Sequence, residues 1–251
     1  MSDFFGVLTL FLLVHIICDF YLQPKRWIEA KKERTYRSPE LYFHSLLHGM
    51  VLCIPAIALG IGWSSTVCLA ALVTVSHFVI DLWKASTRKG DQFSCFAIDQ
   101  TLHVLVLAAI AFHIADGVTI DTILQHKKFP DAVMVVFAYL LVLKPTSMVI
   151  GHVLRKYPIS GSDRDSSHGL VAGGELIGYL ERVLILTFTL VGSYAAVGFV
   201  LTAKSIFRFG ELNKSDDRSM TEYVLIGSLV SVVIAILVGT LVSLGLGVKM
   251  K

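Results

Sequence analysis

The sequence predicts an all-α fold, a polytopic bundle of about seven membrane-spanning helices. Hydrophobic residues make up 55% of the 251 residues and charged residues only 16%, whereas a soluble domain carries about 25% charged residues. The mean hydropathy is +0.70, which is too apolar for a surface that faces water. This composition excludes a disordered chain, a nucleic-acid-binding module and most soluble enzymes.

The apolar residues fall in runs that approach the length of a membrane span, which is about 20 residues for about 30 Å of hydrocarbon. The predicted spans are residues 4–22, 41–62, 64–83, 98–116, 132–152, 182–203 and 223–247. Pro145 is expected to kink the fifth span. The segment 169–203 is interpreted either as amphipathic or as a hairpin. The topology of residues 153–222 stays open, because basic residues on both sides of one crossing favour the cytoplasm.

The spans suggest a four-helix half at residues 1–116, a linker at 117–131 and a second membrane half at 132–251. Lys and Arg accumulate in cytoplasmic loops. The basic residues of the first half concentrate in loops 23–40 and 84–97, so these loops are predicted to be cytoplasmic. An N-terminus in the periplasm follows from that orientation.

Each of the first four spans carries one pair of ionisable residues at i, i+4 spacing, which places both side chains on one helix face. The pairs are His15 and Asp19, His44 and His48, His77 and Asp81, and Asp99 and His103. They lie at alternating ends of successive spans, so antiparallel packing is expected to bring them to one level near the cytoplasmic face. Ionisable residues are rare inside membrane spans and usually functional there.

Five imidazoles and three carboxylates at one level are typical ligands of a divalent transition metal, zinc first, with iron or manganese as alternatives. All eight residues are candidate ligands, and two ions would roughly offset the three aspartate charges. Asp19, Asp81 and Asp99 are also candidate catalytic groups, as a general base or as carboxylates that orient a ligating imidazole. Two alternatives remain open: a packing network that holds the helices together, and a substrate or ion site without metal.

Polar neighbours of the pairs are candidate substrate ligands. Gln23 continues the stripe of Asp19 by one turn, Gln100 adjoins Asp99, and Lys84 lies three residues beyond Asp81. Lys84 either binds a phosphate or carboxylate that arrives from the cytoplasm or extends its ammonium to the interface.

The second half contains candidate ion pairs. A buried Glu181 requires a basic partner, and a buried Lys144 beside Pro145 marks either a substrate path or a structural pair. The residues considered for these pairs are Lys144, Glu181, Arg182, Lys204 and Arg208.

Several motifs are specific enough to suggest a family. The first half contains HIICDFYLQ, HSLLH, SHFVIDLWK and DQTLH, and the second contains GYLERVLI, AVGFVLTAKSIFRFGEL and EYVLIGSLVS. Together they resemble longer members of a bacterial inner-membrane family, domain of unknown function 3307. The resemblance implies a multi-pass protein of the bacterial inner membrane and brings no established activity. More loosely, the polar helices are similar to membrane-embedded metal-dependent hydrolases, including zinc ceramidase-like ones, in residue type and depth.

The leading hypothesis from the sequence is a membrane-embedded, metal-dependent hydrolase. Its metal would activate water at the cytoplasmic side, and its substrate would be a lipid-like or membrane-adjacent ester, amide or phosphoester. The alternatives are a transporter or channel for a metal ion or small solute, and a structural or sensory subunit. Expected partners are the lipid bilayer, a small-molecule or lipid substrate and a second copy of the chain, with no nucleic acid.

Overall fold

The computed structural model describes residues 2–87, 90, 92–115, 128–155, 168–212 and 218–247. In these residues all regular structure is helical, which confirms the all-α prediction. The chain divides into two compact units, residues 1–137 and 138–251. Most of the predicted linker 117–131 and part of the predicted loop 84–97 lie outside the described residues.

The N-terminal unit is built from helices that follow the predicted spans, with one addition. Its helices are α1 (Ser2–Ile16), α2 (Lys25–Arg34), α3 (Pro39–Ala58), α4 (Trp63–Ser86) and α5 (Phe93–Ala115). The π-helical turn Ile17–Tyr21 extends α1, and the 3-10 turn Thr35–Arg37 leads into α3. The addition is α2, which lies within the predicted loop 23–40 and ends where Thr35 takes a positive φ of 48°.

The apolar core of this unit fills one end of the bundle formed by α1, α3, α4 and α5. Its buried members are Val7, Phe11, Leu52, Leu59, Val73, Leu107, Ile110 and Ala111. The core residues precede the ionisable pair on α1 and α4 and follow it on α3 and α5. Because these helices alternate in direction, the core residues all lie toward the same end of the bundle. The polar groups therefore occupy the opposite end of the bundle, as antiparallel packing of the pairs predicts.

The C-terminal unit begins within α6 (Lys128–Val142) and continues with four further helices: α7 (Lys144–Leu154), α8 (His168–Leu190), α9 (Tyr194–Leu212) and α10 (Arg218–Gly245). The backbone leaves helical geometry at Leu143, with φ −82° and ψ −104°, and Pro145 occupies the first turn of α7. The kink predicted at Pro145 is confirmed.

The predicted single span at residues 182–203 is wrong. The chain turns between α8 and α9, where Gly192 has a φ of +72° that residues with a Cβ rarely adopt. Ile185 of α8 and Val197 of α9 then share a buried cluster with Ala235 of α10. The segment forms two helices joined by a tight turn, which is the hairpin alternative.

Six helical segments in the described part of the chain are long and apolar enough to cross a membrane, one fewer than predicted. They are Phe4–Tyr21, Pro39–Ala58, Trp63–Ser86, Phe93–Ala115, Phe129–Leu154 and Glu222–Gly245. Large apolar side chains such as Ile54, Trp63 and Phe112 are about two-thirds to three-quarters exposed on these helices, as lipid-facing residues are. The protein is a multi-pass membrane protein by this criterion.

Candidate functional site

The structure brings all eight residues of the i, i+4 pairs together at the polar end of the N-terminal bundle. The imidazole rings contact one another. Those of His48 and His77 are stacked with centroids 3.5 Å apart, and those of His77 and His103 are tilted with centroids 3.9 Å apart. His15 and His44 complete the ring cluster. Seven of the eight residues are buried, and the Asp19 side chain is only 10% exposed. A buried set of ionisable side chains of this size requires compensation for its desolvation.

Asp19 lies at the centre of this set because of the π-helical turn that extends α1. In the turn, the Leu22 N–H donates to the Ile17 carbonyl at 2.9 Å, five residues back. A π-turn inside an α-helix is rare and often found at functional sites. This one carries the Asp19 carboxylate at the level of the imidazoles on α3 and α4.

Three imidazole nitrogens surround one oxygen of Asp19. Oδ1 lies 3.0 Å from Nε2 of His44, 3.1 Å from Nε2 of His48 and 3.4 Å from Nε2 of His77. The other oxygen, Oδ2, lies 3.6 Å from Nε2 of His15. A carboxylate oxygen has two lone pairs, so it cannot accept three good hydrogen bonds at once.

The same spacing fits ligands around a metal ion. Nitrogen and oxygen ligands about 2.0–2.1 Å from a tetrahedral zinc lie about 3.3 Å from one another, close to the distances around Asp19. The candidate ligand atoms of His15, Asp19, His48 and His77 lie within 4.8 Å of one another. One carboxylate with several imidazoles is a donor set that suits zinc.

Asp81 has a basic partner that the sequence analysis missed. The Lys31 ammonium lies 2.5 Å from Oδ2 of Asp81, and Lys31 is buried. Lys31 falls within loop 23–40, which the sequence predicts to be basic and cytoplasmic, but it lies on α2. The spacing of Trp27, Ile28 and Lys31 places them on one face of a short helix, and that pattern could have identified it.

Asp99 and Asp19 are joined through Gln100. The Gln100 amide donates to Oδ2 of Asp19 at 3.0 Å and to Oδ2 of Asp99 at 3.1 Å. The Lys84 ammonium lies 2.6 Å from the same Asp99 oxygen, and its side chain is 32% exposed. Gln100 and Lys84 therefore belong to the cluster, while the described residues give Gln23 no hydrogen bond to it.

Unsatisfied polar atoms concentrate at the cluster. Five buried side-chain nitrogen or oxygen atoms of the described residues lack a hydrogen-bond partner, and four of them are here: Nδ1 of His44, Oδ1 of Asp99 and both ring nitrogens of His103. Native proteins contain few such atoms, and a bound ion or water is a common reason for them. The residues that carry these atoms, His44, Asp99 and His103, belong to two further groups of candidate metal ligands. The groups are His44–His77–Asp81 and Asp81–Asp99–His103.

With Lys31 and Lys84 both in place, the charges of the cluster fit one divalent ion better than two. Asp19, Asp81 and Asp99 bring three negative charges, and Lys31 and Lys84 return two positive ones. With neutral imidazoles the cluster carries one net negative charge. The expectation that two ions balance three aspartates overlooked Lys31.

A small cavity borders the cluster on the side of the apolar core. Its lining includes four of the five imidazoles, together with Ser76 and three apolar residues. The lining residues are His15, His48, Val73, Ser76, His77, His103, Val106 and Leu107. It has room for about one water molecule.

The candidate ion pairs of the C-terminal unit have mixed outcomes. Glu181 pairs with Lys204, as expected. The buried Arg182 instead donates to the Val142 carbonyl at 2.5 Å and to the hydroxyl of Ser147 at 2.7 Å. Lys144 is exposed, so the expectation of a buried lysine there is wrong, and the Arg208 side chain lies outside the described part of the structure.

Comparison with known proteins identifies a family and no function. Residues 7–129 match the model of the family described as "Protein of unknown function (DUF3307)". The matched range contains all four ionisable pairs. No curated protein and no solved structure matches the chain.

Proposed function

Because residues 7–129 belong to a family without an assigned activity, we propose a function from the site itself: a membrane-embedded, metal-dependent hydrolase. The observation that carries this proposal is the grouping of His15, Asp19, His48 and His77, whose candidate ligand atoms all lie within 4.8 Å of one another. Within this group, Nε2 of His48 and Nε2 of His77 lie 3.1 and 3.4 Å from Oδ1 of Asp19. That spacing corresponds to ligands that share a metal ion. His15, His48, His77 and Asp19 would hold the ion, zinc before iron or manganese.

The bound metal would supply an activated water and polarise the bond to be cleaved. The chain's own residues would then bind the substrate and move protons. While Lys84 holds Oδ2 of Asp99, Oδ1 is buried and has no hydrogen-bond partner, so it is the candidate acceptor for the proton of that water. Gln100 fixes this carboxylate relative to Asp19.

The charge balance favours a substrate with a negative or strongly polarised oxygen. One divalent ion would turn the net charge of the cluster from minus one to plus one. Lys84 is the more exposed of the two ammonium groups at the site, and it lies near the end of α4. A phosphoester or ester of a lipid-like molecule that enters at that end would place its oxygen beside both the metal ion and the Lys84 ammonium.

The apolar core favours hydrolysis over transport. A transporter requires polar groups along a path to both membrane faces. Beyond the cluster, however, the bundle is filled by Phe11, Leu52, Leu107 and their apolar neighbours. In the described residues, the buried ionisable groups of the bundle therefore lie at one end only.

Metal analysis of the purified full chain tests the proposal. We expect about one zinc, iron or manganese ion per chain, and its loss in the double variant His48→Gln/His77→Gln. The matched control is His113→Gln, since His113 is exposed on α5 and makes no contact with the cluster. Absence of stoichiometric metal from the folded wild type would overturn the proposal.

Activity then separates the two functions that a metal site allows. The metal-loaded chain, in detergent, is assayed against chromogenic carboxylic esters, amides and phosphoesters with short and long acyl chains. We expect chelator-sensitive cleavage of at least one class. Zinc or manganese uptake into vesicles that contain the protein, without cleavage of any class, would favour the transporter instead.

A further inference from the structure

One corner of the cluster is more poorly satisfied than the rest. His103 is 3% exposed and neither of its ring nitrogens has a hydrogen-bond partner, while Asp99 is 1% exposed and its Oδ1 is unpartnered. The candidate ligand atoms of Asp81, Asp99 and His103 lie within 4.8 Å of one another. Unpaired buried polar atoms are costly, and here they belong to residue types that bind metals. Because these atoms also lie as close together as metal ligands do, they indicate a binding site for a cation.

The two lysines of the cluster differ in how firmly they are held. The Lys31 side chain is 8% exposed, so its ammonium is held in a buried pair with Asp81. The Lys84 side chain is 32% exposed, so its ammonium can move out and be hydrated, provided that another cation then compensates the buried Asp99 carboxylate. Only the positive charge at Asp99 is therefore exchangeable.

We propose that Asp81, Asp99 and His103 form a second, weaker divalent-cation site, and that the Lys84 ammonium takes the place of that cation at Asp99. When Lys84 withdraws, the cluster gains one negative charge and Asp99 is free to bind a cation through both oxygens. The inference rests on the proposed function, because it takes the Asp19 centre as the first metal site.

The donor set of this corner differs from that of the Asp19 centre. Two carboxylates and one imidazole form a harder, more oxygen-rich set than one carboxylate with several imidazoles. Oxygen-rich sites favour manganese, and imidazole-rich sites favour zinc. The second site is therefore a manganese-class site beside a zinc-class site, with Gln100 hydrogen-bonded to a carboxylate of each.

Manganese titration of the full-length, zinc-loaded protein tests the proposal, with bound Mn²⁺ followed by electron paramagnetic resonance. Replacing the ammonium by an apolar side chain of similar length, Lys84→Met, is expected to tighten manganese binding at least tenfold. Asp99→Asn and His103→Gln are expected to weaken it at least tenfold. The variants act in opposite directions, so a loss of folding cannot produce both results.

The control is Lys204→Met, which removes another partly exposed lysine from a pair with a carboxylate, Glu181. It is expected to leave manganese binding unchanged. If the wild type keeps one zinc and Lys84→Met binds manganese no more tightly than the wild type, the second site is overturned while the first stands. If the wild type holds no metal, both this inference and the proposed function fail.

Discussion

The Lys31 ammonium lies 2.5 Å from Oδ2 of Asp81, and both side chains are at most 10% exposed. The pair joins α2, a short helix outside the membrane spans, to α4 inside the bundle. The Lys31 ammonium also balances one of the three negative charges that the aspartates bring to the cluster. This contact therefore bears both on the stability of the cluster and on the negative charge that remains to balance the proposed cations.

Lys31→Met is expected to destabilise the folded protein by about 3–5 kcal/mol, because it leaves the Asp81 carboxylate buried without its partner. Thermal unfolding in detergent measures the loss. The control is Lys25→Met, an exposed lysine on the same helix, for which little change is expected. The double variant Lys31→Met/Asp81→Leu should recover most of the loss, since no buried charge then remains. A single variant as stable as the wild type would show that the pair contributes nothing.

Asp19→Asn is expected to lower the affinity for metal by at least tenfold. The substitution replaces the only negatively charged ligand of the proposed centre by a neutral amide. Elemental analysis after dialysis against a weak chelator measures the effect. Asp131→Asn provides the control, as Asp131 is exposed on α6. Unchanged metal content in Asp19→Asn would place the ion elsewhere.

The helical pattern of the first half was predictable because each span carries its polar residues at one spacing and one depth. His15 and Asp19 lie near the end of one span, and His44 and His48 near the start of the next, so antiparallel packing alone brings them to one level. Burial of the pairs follows from the same argument. Nothing beyond the positions of the apolar runs was needed to place the cluster at one end of the bundle.

The rest depended on tertiary contacts that a periodic pattern does not contain. The sequence alone assigns Lys31 to a basic loop, because α2 is too short and too polar to resemble a span. The turn at Gly192 was hidden because apolar residues continue on both sides of it. The π-turn around Asp19 has no signal in residue type, since Ile17 and Phe20 also suit an α-helix.

Gly49, directly after His48, allows α3 to approach α4 closely because it has no Cβ. A Cβ at this position would lie 2.1 Å from Oγ1 of Thr74 and 2.6 Å from the carbonyl oxygen of Ala70. Gly49→Ala is therefore expected to destabilise the protein by about 1–3 kcal/mol, and to weaken metal binding because the helices that carry His48 and His77 must separate. Thermal unfolding and metal analysis of one preparation measure both effects.

Two variants test this explanation of Gly49. Gly6→Ala is the control, because a Cβ at Gly6 would meet nothing within 4 Å, so the substitution should be neutral or slightly stabilising. Adding Thr74→Ala to Gly49→Ala should restore only part of the stability, since the Ala70 carbonyl remains in the way. Full recovery in that double variant would contradict the role of the backbone contact.

Arg182 stabilises the helix break before Pro145 in the C-terminal unit. It donates to the Val142 carbonyl at 2.5 Å and to the hydroxyls of Ser147 and Ser231 at 2.7 and 3.1 Å. Arg182→Met is expected to lower stability by about 1–3 kcal/mol, because it leaves the Val142 carbonyl buried and unpaired.

Arg182→Lys should restore little of this stability, because one ammonium cannot reproduce the three fixed directions of the guanidinium. Hydrogen exchange of residues 143–147 should accelerate in both variants, whereas Lys204→Met should leave it unchanged, as a partly exposed pair contributes about 0–1 kcal/mol. Equal or greater stability in Arg182→Met would indicate that the desolvation of the guanidinium costs more than its three hydrogen bonds return. Arg182 would then be retained for a reason other than holding the break.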